Sequence, residues 1–226
     1  YYAVFTATKM VAPINSPAIS PDTIPDVRPI GVGECWRRAI HSAAIEDFGE
    51  QFADHFWPQQ VAVGIRSGIS ILISRLRALL DEHPDWVLVR IDMKNAYNEI
   101  RRAKVLQRLE SIPHLRALAP LFWATHRHNT DVFLATAGLP LAPLQSSEGV
   151  QQGDAIASAG FGIGIHPEVQ ELDAELSRAG GAARFDMDDG YAIGPAGLVF
   201  PAILRFAEQV ANLGCELQFS KCEWYC

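Results

Sequence analysis

Two short stretches decide the fold: WVLVRID at residues 86–92 and ARFDMDDGYAI at residues 183–193. The first is a short apolar, largely β-branched run that ends in Asp92, which is typical of a buried strand. The second places Asp188, Asp189 and Gly190 between two strand-like segments, and the Asp-Gly pair predicts a type I′ hairpin turn. These carboxylates either meet at one edge of a sheet or serve only as capping and turn residues.

The rest of the chain alternates between helical and extended patterns. Apolar spacing predicts helices over 34–56, 67–80, 102–109, 114–126, 154–178 and 198–213, with Ser67 as an N-cap. Short strands are predicted over 131–135, before residue 146 and over 215–219, and five prolines between residues 10 and 29 predict extended or loop structure. This mixed order, with a hairpin, indicates an α+β fold whose sheet is covered on one face.

Composition limits the classes of function. The 226 residues carry 19 Lys and Arg against 26 Asp and Glu, a net charge of −7, so any nucleic-acid binding must come from a local basic surface or from metal ions. The four cysteines form no CxxC pair, which excludes a zinc ribbon or a disulfide scaffold and favours reduced thiols in an intracellular protein. No apolar run predicts a membrane span. Both ends look cut, so we expect a fragment of a longer polypeptide.

Two further features indicate chemistry. Three carboxylates at one sheet edge, Asp92, Asp188 and Asp189, are what a two-metal site for phosphoryl displacement requires, and Mg²⁺ prefers such oxygen ligands. In addition, residues 148–154 (EGVQQGD) place glycines around an amide pair just before a predicted long helix. Such a loop lets backbone approach a ligand, and the amide and the helix N-terminus can meet a sugar or a phosphate.

In chain order, four segments resemble motifs A, B, C and D of reverse transcriptases, of the retroelement type related to non-LTR retrotransposons. They are residues 92–98 (DMKNAYN), 149–154 (GVQQGD), 187–190 (MDDG) and 214–223 (GCELQFSKCE). Arg28-Pro29-Ile30 resembles the fingers motif that precedes them. The resemblance implies polymerase right-hand fingers and palm, with an antiparallel palm sheet backed by helices. It assigns residues 1–85 to partial fingers, 86–112 to palm, 113–145 to a fingers return segment and 146–226 to palm, with the thumb absent.

The same resemblance implies roles for individual residues. Asp92 and Asp188 match the metal-binding pair, with Asp189 as the second hairpin carboxylate. The implied cofactor is two Mg²⁺ ions, for which Mn²⁺ is an alternative. The other matches are Tyr97 as the ring that excludes a 2′-hydroxyl, Gln152 and Gly153 in the nucleotide site, Arg28 on the triphosphate, and Lys221 as the acid for the leaving pyrophosphate. The implied partners are an RNA or DNA template with its primer, deoxynucleoside triphosphates and other domains of a retroelement polyprotein, with no membrane.

Departures from the family pattern leave alternatives open. The family usually has Tyr two residues before the first hairpin carboxylate, where this chain has Asp186, and it usually has bulky residues after the QGD segment, where this chain has small ones. Asp186 either crowds a carboxylate patch with few cations or pairs with Arg184. A degenerate or domesticated nucleic-acid-binding copy is therefore one alternative. An RNA-templated RNA polymerase is another, against which Tyr97 argues.

Three other groups of residues could bind a ligand or serve only in the structure. The cluster Arg101, Arg102 and Lys104 predicts either contacts to a nucleic-acid backbone or a solvated helix face. His126 and His128 are two residues apart, which is not the spacing of a metal pair on a helix face, and we expect them on the surface. Four tryptophans lie in apolar surroundings and are predicted to be core residues: Trp36, Trp57, Trp86 and Trp123.

Overall fold

The computed structural model describes residues 8–11, 14–16, 26–27, 30–134 and 144–226. Its helices are α1 (Cys35–Asp47), α2 (Gly49–Phe56), α3 (Gly68–Glu82), α4 (Ala96–Glu99), α5 (Arg102–Ser111), α6 (Ala119–His126), α7 (Ala155–Ser177) and α8 (Ala196–Ala211). Its strands are β1 (Thr8–Val11), β2 (Ile14–Ser16), β3 (Asp26–Val27), β4 (Ile30–Gly33), β5 (Val87–Ile91), β6 (Met93–Lys94), β7 (Thr130–Leu134), β8 (Leu144–Ser146), β9 (Ala182–Asp186), β10 (Asp189–Gly194), β11 (Glu216–Leu217) and β12 (Glu223–Tyr225). The α+β class is confirmed.

The described strands form two larger sheets and two short pairs. The central sheet has the order β12-β5-β10-β9, and all of its neighbours are antiparallel. The second sheet has the order β4-β1-β7-β8 and contains one parallel pair, β1 with β7. The short pairs are β11 with β6 and β2 with β3. Segments far apart in sequence therefore meet in both sheets.

The two faces of the central sheet differ in character. Residues of one face alternate into the main core, where Val89, Ile91, Phe185 and Ala192 pack with helices α7 and α8. On the opposite face α3 covers one end, where Ile193 packs with Leu72 and Leu76 of that helix in a smaller core. The other end of this opposite face, where β5 ends and β10 begins, carries polar residues.

Small residues let α7 lie close to its neighbours. A Cβ on Gly164 would come within 2.3 Å of the Ile100 side chain, and one on Gly160 within 2.9 Å of Phe122. Glycine at these two positions therefore lets α5 and α6 pack closely against α7, because a larger residue would push them away.

Most predicted elements are present, and some details were wrong. The predicted helix over 34–56 is divided into α1 and α2, and the predicted strand over 215–219 is reduced to β11 and a 3₁₀ turn at Phe219–Lys221. Strand β12 was not predicted. Ser67 is at the N-cap position of α3 as predicted, but its backbone is left-handed (φ 58) and its side chain makes no capping hydrogen bond to a described residue. None of the described helices is long and apolar enough to cross a bilayer.

Several predictions about which side chains are buried were also wrong. Trp86 is buried as expected, whereas Trp36, Trp57 and Trp123 are 72%, 44% and 47% exposed. The guanidinium groups of Arg75 and Arg127 lie over Trp57 and Trp123 and shield one face of each ring. His126, predicted on the surface, is buried and hydrogen-bonded to Thr125.

Arg102 neither lies on a solvated helix face nor is free to contact a nucleic-acid backbone, which were the two alternatives predicted for its cluster. It is buried, and its guanidinium donates to the carbonyl oxygens of Gly149 (2.6 Å) and Ser146 (3.1 Å) and to the Ser146 hydroxyl (2.8 Å). Its planar fork of donors suits several fixed acceptors at once. Arg102 therefore holds the segment that precedes the Gln152 loop against α5.

Buried imidazoles predict an acid-sensitive fold. Burial, with the charge of the neighbouring His114, lowers the pKa of His55 to about 4, and burial lowers that of His166 to about 4 and that of His126 to about 3. The unfolded chain takes up these protons near pH 6.5, so the free energy of unfolding should fall as pH is lowered from about 6.5 toward 4. We expect a slope of up to roughly 1 kcal/mol per pH unit for each histidine, measured by denaturant unfolding between pH 7.5 and 4.5.

The substitution His55→Gln should make this slope shallower, because it removes one of the groups that titrate only in the unfolded chain. His128→Gln, at an exposed position, is the control for the exchange of a histidine for a glutamine at the surface. A pH profile that is the same for His55→Gln and the original chain would contradict the assignment.

Candidate active site

The register of the central sheet brings two of the predicted carboxylates to the same end. Ile91 of β5 lies opposite Gly190 of β10. The next residues outward on the two strands are Asp92 and Asp189, and opposed residues in antiparallel strands have Cα atoms about 5 Å apart. Asp189 in turn lies opposite Asp186 of β9. Strand alternation puts these three side chains on one face, at the polar end of the sheet.

Asp188 lies in the hairpin turn, but the turn is not the one predicted. Its two residues are Met187 and Asp188, and Asp189 and Gly190 already belong to β10. Gly190 is required in the strand because a Cβ there would come within 2.4 Å of the Phe185 ring. Met187 takes the left-handed conformation (φ 60) that the sequence analysis assigned to the Asp-Gly pair. Asp188 therefore stands at the tip of the hairpin, beside Asp189.

The side chain of Arg90 lies beside the carboxylate patch formed by Asp92, Asp186 and Asp189. The sequence predicted few positively charged side chains there. The Arg90 guanidinium is 3.5 Å from an Asp189 carboxylate oxygen and 3.5 Å from one of Glu223. The Arg90 and Asp189 side chains are 39% and 50% exposed, so each contact contributes at most about 1 kcal/mol. Arg184 does not pair with Asp186, because it binds Asp173 at 2.6 Å.

Asp186 is the least favourably placed of these carboxylates. Partial burial, and then the charge of Asp189, raises the pKa of Asp186 above its usual range. Both effects disfavour its ionised form. In its ionised form the residue adds negative charge to a patch that is already negative.

Tyr97 lies next to the hairpin carboxylates. Its ring stacks on Phe161 of α7 with centroids 5.0 Å apart, and its hydroxyl oxygen is 3.5 Å from that of Ser158. Burial raises the pKa of Tyr97 to about 12; the contact with Ser158 opposes that rise, and the charges of the hairpin carboxylates add to it. The ring is therefore fixed by helix α7, neutral at ordinary pH, and close enough to the carboxylates for their charges to affect it.

The loop that carries Gln152 and Gly153 is attached to the same region. The Val150 N–H donates to the Tyr97 carbonyl at 2.6 Å, and the Gly31 N–H of β4 donates to the Gln152 carbonyl at 2.7 Å. Gly153 has a left-handed backbone (φ 102), and a Cβ there would lie 2.7 Å from the Gly31 carbonyl oxygen, so glycine is required. Gln152 is half-buried and Gly153 exposed. The loop is thus held between Tyr97 and the second sheet.

A buried polar network beneath this loop escaped the sequence analysis. Arg37 and His41 of α1, 1% and 0% exposed, contact the carboxylate of Asp154 at 3.2 and 2.5 Å. Arg37 also donates to the Gln151 side chain at 2.7 Å and to the Thr8 hydroxyl at 3.0 Å. Burial raises the pKa of Asp154, but the His41 hydrogen bond and the nearby positive charges outweigh it and lower the pKa overall. The i, i+4 spacing of Arg37 and His41 on one helix face was the signal available.

The segment that carries Lys221 contacts the backbone of Asp92. The Asp92 carbonyl accepts from the Gln218 N–H at 2.8 Å, and the Asp92 N–H contacts the Cys222 sulfur at 3.5 Å. Lys221 is exposed on the 3₁₀ turn between these two residues. Arg28, the predicted triphosphate ligand, lies outside the described residues.

The carboxylate oxygens at this end of the sheet are the atoms that would bind a magnesium ion. Within the described part of the chain, no three His, Cys, Asp or Glu side chains are arranged to hold a metal ion by themselves. Carboxylate oxygens suit Mg²⁺ chemically, and Mg²⁺ is commonly held by one or two carboxylates together with substrate phosphates and water. The carboxylates at this end of the sheet would therefore supply only part of the ligands of such an ion.

Comparison with known proteins supports the fold at a coarse level. No family model matches the sequence, and no curated protein matches it. Apo telomerase from Candida tropicalis, truncated from the C-terminal domain, is similar with a TM-score of 0.68 and 13% identity over 98% of this chain and 50% of that chain. Telomerase from Candida albicans in complex with a TWJ fragment of telomeric RNA is similar with a TM-score of 0.69 and 13% identity over 97% and 41%.

The chain thus spans half or less of the length of these two structures. At such identities the likeness shows the fold alone, and it does not single out the non-LTR retrotransposon type. This chain has a reverse-transcriptase-like α+β fold.

Proposed function

We propose that this chain is the nucleotidyl-transfer unit of an RNA-directed DNA polymerase. The observation that supports the proposal is the register of β5 and β10, which brings Asp92 and Asp189 to one end of the central sheet, with Asp188 in the adjoining turn and Tyr97 near the hairpin carboxylates. The reverse-transcriptase-like fold supports it, as does the RNA-bound state of one telomerase with that fold. The reaction is attack of a primer 3′-hydroxyl on the α-phosphorus of a deoxynucleoside triphosphate, with release of pyrophosphate.

In this proposal the three carboxylates Asp92, Asp188 and Asp189 hold two Mg²⁺ ions, or Mn²⁺ in their place, together with the triphosphate. When bound, the ions neutralise developing charge on the phosphoryl oxygens. The protein itself positions the reactants, which is the main demand of phosphoryl transfer. The Gln152–Gly153 loop lines the nucleotide, Arg28 contacts the triphosphate, and Lys221 supplies a proton to the leaving group.

A second candidate function is nucleic-acid binding without catalysis, as in a domesticated copy of such an enzyme. The ion pair of Arg90 with Asp189 favours it, because Arg90 neutralises a carboxylate that the catalytic proposal assigns to metal. Asp186 also favours loss of catalysis, because it stands where the family pattern has a tyrosine. Primer extension separates the two candidates.

The chain should extend a DNA primer on an RNA template with Mg²⁺ and deoxynucleotides, and chelation by EDTA should stop the reaction. Asp188→Asn should lower the rate on the order of a hundredfold or more, because it removes charge that the transition state needs. Glu175→Gln, in a surface ion pair with Arg205 on the far helices, is the matched control. Primer binding without any extension, alike in both variants, would favour the second candidate.

Tyr97→Ala should relax the preference for deoxynucleotides over ribonucleotides. The ring is fixed on Phe161, so its removal opens the space that a 2′-hydroxyl would need. We expect the ratio of kcat/KM values for the two nucleotides to fall by about tenfold or more, as for loss of a steric contact of roughly 1–3 kcal/mol. Tyr97→Phe keeps the ring and should keep the preference; a ratio unchanged in Tyr97→Ala would remove the residue from the sugar site.

Asp186→Tyr should strengthen binding of primer–template. The substitution removes a carboxylate from a like-charged patch and offers a neutral surface to the primer end, for a gain of roughly 0.5–1 kcal/mol, or about two- to fivefold in Kd. Asp186→Asn separates the loss of charge from the gain of the ring. Titration at fixed salt and Mg²⁺ measures both, and equal affinity in all three proteins would show that Asp186 is neutral.

A further inference from the structure

A segment outside the predicted site runs along the edge of the hairpin formed by β9 and β10. Residues 59–61 lie beside β9: the Phe185 N–H donates to the Gln59 carbonyl at 2.7 Å, and the Val61 N–H donates to the Phe185 carbonyl at 2.9 Å. Gln60 and Phe185 form an isolated parallel bridge. This pairing fixes the backbone of Gln60 next to the strand that leads into the Met187–Asp188 turn.

The Gln60 side chain reaches that turn and makes both backbone hydrogen bonds of Met187. Its carbonyl oxygen accepts from the Met187 N–H at 2.9 Å, and its amide nitrogen donates to the Met187 carbonyl at 3.1 Å. The side-chain oxygen also accepts from the Ala62 N–H at 3.3 Å. Gln60 is 2% exposed, and use of both amide ends fixes the orientation of the group.

Met187 needs such support because of its conformation. A non-glycine residue with φ near +60 is strained by roughly 1–2 kcal/mol and persists where surrounding contacts determine it. Two hydrogen bonds to one buried amide meet that requirement at the residue directly before Asp188. In a two-residue turn, a change at Met187 redirects the side chain that follows it.

We propose that Gln60 is a positioning residue that fixes Asp188 by holding Met187 in the left-handed conformation. The role rests on the proposed function, in which Asp188 contacts the reacting nucleotide through metal. Glutamine suits this task, because asparagine is one methylene shorter and glutamate has no donor for the Met187 carbonyl. A glutamate would also bring a fourth negative charge close to Asp186, Asp188 and Asp189.

The test compares Gln60→Met, which keeps the length but loses both polar ends, with Gln59→Met. Gln59 is the neighbour on the same segment, and its side chain bonds to Asp173, away from the turn. For Gln60→Met we expect hydrogen exchange at the Met187 amide to quicken by about tenfold and kcat to fall by about tenfold, as for one lost buried hydrogen bond. The KM for the nucleotide should change little. Gln59→Met should show neither change, whatever its thermal stability.

Exchange and kcat that are the same in the two variants would overturn the proposal, since a merely structural role would move only stability. Should Gln60→Met fail to fold, Gln60→Asn replaces it, because asparagine is uncharged and one methylene shorter: a fall in kcat at constant KM with faster exchange at Met187 supports the role, and unchanged kcat and exchange overturn it. The exchange measurement does not depend on turnover. An original chain that extends no primer would therefore defeat the proposed function, while exchange at Met187 would still decide whether Gln60 fixes the turn.

Discussion

The antiparallel pairing of β5 with β10 is the constraint on which the candidate site depends. Strand β5 ends at Ile91, directly before Asp92, β10 begins with Asp189, and their register sets Ile91 opposite Gly190. A shift of one residue would move every side chain to the opposite face of the sheet and would bury the carboxylates in the core. The register is fixed from the core side, where Val89, Ile91 and Ala192 are nearly fully buried against α7 and α8. Hydrophobic packing on one face thus places charge on the other.

Buried polar side chains attach the surrounding loops to this sheet. Arg102 holds the segment before the Gln152 loop, Arg37 and His41 hold Asp154 after it, and Gln60 holds the hairpin turn. Each reaches backbone or charged groups that apolar contacts do not satisfy. Loss of one such partner would leave another buried group unpaired, which costs more than the bond itself contributes. These residues therefore limit the motion of loops that carry the predicted functional groups.

At the polar end of the central sheet, several negative carboxylates lie next to one positive guanidinium. Asp92, Asp186 and Asp189 share one face, and Arg90 lies among them. Arg90 lowers the repulsion while no cation is bound, and it also competes for the carboxylate that a cation would use. The chain's net charge of −7 gives no general attraction for nucleic acid, so binding depends on how this patch is neutralised. The proposed function and its non-catalytic alternative differ mainly in that respect.

The sequence alone determined the features that local chemistry dictates. Apolar periodicity predicted the α+β class, strand β5, the hairpin and the long helix α7, because buried faces repeat at fixed spacing in any context. Four motifs in order predicted the reverse-transcriptase-like fold. The roles implied for all of the site residues, the metal ions and the domain limits stay predictions. Tertiary structure decided the rest. Turn position was set by the Phe185 ring against Gly190, and burial of Arg37, Arg102 and Gln60 was set by partners up to 127 positions away in the chain. A polar residue looks the same in sequence whether it faces water or a buried partner, so only the packed chain distinguishes the two.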